Sequence, residues 1–102
     1  MAALLIIQAA VSRDAAHRER YRQYQALVQP LIESRGGRLR ASGLNLEVLE
    51  GEHDARRLMV FEFPSMDAIH AFWQSPEYAA IRPLRAGAAR IEVWAIPADP
   101  GS

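Results

Sequence analysis

The chain has no cysteine and no lysine. Without thiols there are no disulfides, thiolate-ligated metals, iron–sulfur clusters or cysteine nucleophiles. Without lysine there is no Schiff-base chemistry and no lysine general base; all 12 basic residues are arginine. No segment approaches the roughly 18 to 20 continuous apolar residues that a membrane-spanning helix needs. Net charge is also missing, with 12 basic residues against 12 acidic ones. That balance removes the positive field on which non-specific binding to nucleic acid or anionic membranes rests, so neither is an expected partner. The apolar start around Leu4–Ile7 lacks a basic segment before it and reads as a buried first strand rather than a signal peptide, which points to a cytoplasmic protein. What is present is 102 residues with 50% hydrophobic and 24% charged content, the composition of one soluble domain with a core of its own.

Asp14 is placed to cap a first helix, whose apolar positions Tyr21, Tyr24, Val28, Leu31 and Ile32 fall on one face, opposite Arg18, Arg22, Gln25 and Gln29. Pro30 lies inside the pattern and predicts a kink or restart near Val28. Gly36 and Gly37 then stop the helix. Arg38 to Glu50 reads as a strand or broken strand pair with a bulge at Gly43, and Gly51 to Arg56 as a turn. Arg57–Phe63 is a clear strand with Met59, Phe61 and Phe63 on one face and Leu58, Val60 and Glu62 on the other. Ser65 caps a second helix with the stripe Ile69, Phe72 and Trp73. Ser75-Pro76-Glu77 opens a short third helix that ends at Pro83. Ala89 to Ile96 forms the last strand, and the domain spans residues 1–97, with 98–102 as a disordered tail.

The order strand, helix, strand, strand, helix, strand matches the split βαβ of ferredoxin-like α+β folds: βαββαβ with one four-stranded antiparallel sheet and helices on one side. Apolar residues occupy both faces of the strands, whereas two main helices cover one. A homodimer packed sheet to sheet would bury the second face.

The segments Gly36-Gly37-Arg38, Glu50-Gly51, Glu62-Phe63-Pro64-Ser65, Phe72-Trp73-Gln74-Ser75-Pro76-Glu77-Tyr78 and Ile81-Arg82-Pro83-Leu84-Arg85 together resemble the domain-of-unknown-function 1330 family, over about residues 2 to 97. The resemblance implies a dimeric α+β barrel, in the superfamily of antibiotic-biosynthesis monooxygenases, muconolactone isomerases and related small cofactor-free proteins. It implies no cofactor and brings no established reaction. One departure is Gly43-Leu44, where the family often has Gly-Gly.

Such an architecture implies a pocket between helices and sheet, which singles out Trp73, Tyr78 and Arg85. Read as a site, they offer an aromatic wall, a phenol and a guanidinium able to grip a carboxylate or enolate; read as packing, Trp73 is core and Arg85 pairs with Glu62 or Glu77. Tyr24 on the buried face of the first helix could reach the same cavity. Glu62, a carboxylate on a strand otherwise apolar, is a candidate acid or base if buried, or else one half of an arginine ion pair. His70 beside the stripe of the second helix is the alternative proton carrier. His17 and His53 read as exposed, and no histidine spacing suits a metal site. Two functions follow. One is a cofactor-free enzyme for a small anionic or aromatic molecule, with Glu62, Arg85 and His70 catalytic and Tyr24, Trp73, Tyr78 and Arg85 ligand-binding. The other is a non-catalytic ligand-binding or dimer-assembly module. A haem-binding relative is a weaker third reading, for want of a placed axial histidine.

Overall fold

The computed structural model describes residues 2–43, 46–54 and 56–98. The elements are β1 (Ala3–Val11), α1 (Ala15–Ser34), β2 (Arg38–Gly43), β3 (Arg57–Phe63), α2 (Met66–Trp73), α3 (Pro76–Ile81), a 3-10 turn (Arg82–Arg85) and β4 (Ala89–Pro97). The strands form one antiparallel sheet in the order β2-β3-β1-β4, the α+β ferredoxin-like arrangement.

Local chemistry explains the helix limits. The Asp14 carboxylate accepts the His17 N–H, the Ser65 hydroxyl that of Ala68, and the Ser75 hydroxyl that of Tyr78, each satisfying an amide that its helix leaves open. At the end of α1, Gly36 takes φ +91°. Gly36 N–H then donates to Glu33 O and Gly37 N–H to Ile32 O, the paired bonds of a left-handed C-terminal cap. A Cβ on Gly37 would press on the Ile32 side chain and lie 2.9 Å from Phe63, so this position also sets how closely α1 approaches β3.

Four expectations are corrected. The restart expected near Val28 does not occur, since α1 runs unbroken for 20 residues with Pro30 inside it; Pro30 itself is exposed. The bulge in β2 falls between Leu39 and Ala41 rather than at Gly43. β2 also stops at Gly43, and 46–50 are not strand; Leu44 and Asn45 lie outside the described residues. At the other end, Pro97 belongs to β4 and Ala98 N–H donates to Ala2 O at 2.9 Å, so the pairing continues past Ile96; residues 99–102 lie outside the described residues.

Register divides the sheet into two surfaces. Ala3, Leu5, Ile7 and Ala9 of β1 align with Phe63, Phe61, Met59 and Arg57 of β3 and with alternate residues of β4. This surface packs under the helices, where Leu5, Phe61 and Phe63 meet Tyr21, Tyr24, Val28, Ile32, Ile69, Phe72 and Tyr78 in the core. The opposite surface carries Leu4, Ile6, Val60, Glu62, Trp94 and Ile96 in register. No helix covers it among the described residues, and Trp94 and Ile96 are 55% and 51% exposed. One end of it is occupied: Asp54 pairs with Arg56 and Arg90, and Arg56 with Glu92 at 2.6 Å. The segment entering β3 is thus fastened to β4 across β1, at the end where Gln8 is buried.

Candidate functional site

Ser75 and Pro76 start α3 directly after α2, and this short connection turns Tyr78 inward. Tyr78 is fully buried, with ring centroids 4.8 Å from Phe72 and 5.2 Å from Trp73. Its hydroxyl meets that of Tyr24 at 2.9 Å. Burial pushes the Tyr24 phenol well above its ordinary pKa, and the Tyr78 hydrogen bond adds to the effect; the nearby Arg85 guanidinium opposes it without reversing it. Tyr24 is therefore a neutral hydroxyl at any physiological pH.

The tyrosine pair lines a narrow cavity of about 30 Å³ under α1, bounded by Leu5, Ile7, Phe61, Ile91 and Val93 of the sheet. That is space for one or two waters. Trp73, Tyr78 and Ile91 separate it from an outer cleft of about 600 Å³, formed by α3, the 3-10 turn and the start of β4. The cleft is of the size that small ligands occupy.

Two arginines enter this cleft, Arg82 and Arg85. The Arg82 guanidinium stands 4.8 Å over the Trp73 ring and that of Arg85 6.0 Å from the Tyr24 ring. The Nε of Arg85 is buried without a hydrogen-bond partner. Both carboxylates proposed to hold Arg85 are engaged elsewhere: Glu62 with Arg40 at 3.3 Å, and Glu77 with Arg35. The residues lining the cleft include no aspartate or glutamate.

The structure therefore brings Tyr24, Trp73, Tyr78 and Arg85 together, and it leaves Glu62 and His70 apart from them. Glu62 projects from the sheet surface facing away from the helices, 40% exposed in its pair with Arg40. It is neither buried nor within the cleft, which corrects the expectation of a catalytic carboxylate there. His70 is exposed on α2 and is absent from the cleft lining. Of the other histidines, His17 is half-buried, its Nδ1 3.2 Å from the Ser12 hydroxyl, and His53 is half-buried as well. Arg82 is the cleft residue that sequence reasoning passed over. The signal for it was the spacing of three to Arg85 across Pro83, inside one helical turn.

A family model described as a domain of unknown function (DUF1330) matches residues 3–98. The chain belongs to the DUF1330 family. A search of curated protein sequences finds no match to it. Among solved structures, this DUF1330 chain is similar to a protein of unknown function from Rhodopseudomonas palustris, at 22% identity and TM-score 0.69, covering 97% of this chain and 84% of that one. It is similar to a dimeric ferredoxin-like protein of unknown function from Jannaschia, at 14% identity and TM-score 0.70, covering 94% and 98%. It is also similar to a cofactor-independent oxygenase from Streptomyces nogalater, at 13% identity and TM-score 0.64, covering 96% and 93%. Identities this low show a shared fold.

Proposed function

We propose that this DUF1330 protein is a homodimer that binds a small anionic molecule, aromatic or enolisable, in the cleft between α3, the 3-10 turn and β4. The observation that carries the reading is Arg85. Its guanidinium is partly withdrawn from water, its Nε has no acceptor, and no carboxylate shares the cleft. Burying a charged donor without a partner is costly, and a bound carboxylate or enolate would supply the missing acceptor. Trp73 adds an aromatic wall and Tyr78 closes the floor. The dimer is supported by the uncovered apolar sheet surface and by the dimeric Jannaschia neighbour.

A second reading is a cofactor-free enzyme at the same cleft, in line with the cofactor-independent oxygenase that shares the fold. Arg85 beside the Tyr24 and Tyr78 hydroxyls is a suitable arrangement for stabilising negative charge as it develops on an enolate oxygen. With Glu62 and His70 outside the cleft, the lining provides no carboxylate or imidazole to remove a proton, which favours binding without turnover.

Native mass spectrometry and calorimetry test the first reading. The expected result is a dimer, with benzoate binding to the wild type and lost in Arg85→Gln while the variant keeps its melting temperature. A monomer refutes the assembly, and unchanged benzoate binding in Arg85→Gln refutes the site. Deuterium exchange into the methylene of phenylpyruvate decides between the readings: acceleration over buffer that Arg85→Gln abolishes would establish turnover, and a rate equal to buffer would leave binding alone.

A further inference from the structure

We propose that Arg82 is a second anion-gripping residue of this cleft and a displaceable cover on Trp73, so that the site selects planar molecules with two acidic groups over those with one. The inference rests on the cleft reading above and deepens it to a ligand class.

Five arginines, at 22, 35, 40, 56 and 90, are held by carboxylates. Of the arginines without an ion pair among the described residues, Arg82 and Arg85 are set apart because both enter one acid-free cleft and each stands against an aromatic ring. One guanidinium grips one carboxylate through its fork of donors. Two in one cleft with nothing to neutralise them match two acidic groups, and they repel each other until such a ligand arrives.

The position of Arg82 adds the second half of the proposal. Stacking of a guanidinium on an indole is weak where water has access, and Arg82 is exposed. A ligand ring can take its place on Trp73, whereupon the freed guanidinium turns to the acid group at the far side of the same ligand. A monoanion displaces the cation without giving it a new partner; a dianion does both.

The test is calorimetry of the full chain with benzoate and with the three benzenedicarboxylates. At least one dicarboxylate is expected to bind about tenfold more tightly than benzoate, a factor worth about 1.4 kcal/mol. Arg82→Gln should bring that ratio close to equality, Arg82→Lys should restore part of it, and Arg38→Gln on the distant β2 should leave it as in the wild type. The Trp73 indole N–H resonance should move on ligand addition in the wild type. Equal affinities for mono- and dicarboxylates overturn the proposal while leaving the cleft reading intact. A ratio reduced as much by Arg38→Gln as by Arg82→Gln assigns the effect to overall charge and overturns it as well. No binding of any of the four probes overturns the cleft reading and this proposal together.

Discussion

The hydroxyls of Tyr24 and Tyr78, 54 residues apart in the chain, share one buried hydrogen bond of 2.9 Å. It ties the middle of α1 to the short α3. Removing either hydroxyl leaves the other without a partner inside the core, at a cost of about 1–3 kcal/mol, whereas removing both leaves no orphan. Tyr78→Phe and Tyr24→Phe should each lower stability by that amount, and the double variant by clearly less than their sum. Urea unfolding of the four proteins checks it; additive losses would show that the pair is not coupled.

Gly37→Ala should destabilise the fold by about 1–3 kcal/mol, the usual cost of overpacking. The new methyl group meets Ile32 and Phe63, both nearly inaccessible to solvent, so neither side chain can swing outward. A thermal melt with no change would mean that α1 shifts at little cost.

Acid stability should depend on the clamp between the segment entering β3 and β4. The hydrogen bond from Arg56 holds the Asp54 carboxyl below its ordinary pKa of 3.8, with Arg90 adding to the effect and desolvation opposing it. A lowered native value means that the unfolded chain takes up the proton first. The contribution is therefore complete above pH 3.8 and is lost as pH falls through the native value. Asp54→Asn should melt below the wild type at pH 7, and the gap should close toward pH 2. A gap that persists in acid would show that the clamp is not electrostatic.

At the alkaline end the sign reverses. Burial raises the phenol pKa of both Tyr21 and Tyr24, so above pH 10 the unfolded chain loses protons that the native one keeps, and stability falls with rising pH. Tyrosinate absorbance at 295 nm should report part of the tyrosine complement ionising only on unfolding. Full ionisation at pH 10 in the folded state would contradict the burial.

Glu62→Gln and His70→Gln should leave benzoate affinity unchanged, because both side chains lie outside the cleft. A tenfold loss in either would move the site to another part of the molecule.

Much of the fold was legible locally. Asp14, Ser65 and Ser75 announce three helices by the same hydroxyl or carboxylate capping chemistry, and β3 has the limits that its β-branched and aromatic run suggests. The segment 46–50 is not strand although alternation there resembles one, because pairing depends on a neighbour that the sequence does not display. Trp73, Tyr78 and Arg85 were legible because they fall within thirteen residues of chain, at the end of α2, in α3 and in the 3-10 turn. Glu62 was misplaced for a different reason. Both faces of β3 are apolar, so alternation separates Glu62 from Phe61 and Phe63 without telling which face the helices cover. Arg82 escaped notice because its partner is a ring face, a contact that charge arithmetic does not reveal.

That same alternation has a consequence for substitution. Phe61 and Phe63 lie under the helices, while Val60 and Glu62 belong to the bare surface, so neighbouring positions of one strand face different packing constraints. Substitutions at odd positions of β3 change the packing beneath α1, and those at even positions change the exposed face of the sheet. The packing under the helices and the bare surface of the sheet can therefore vary independently, one residue apart.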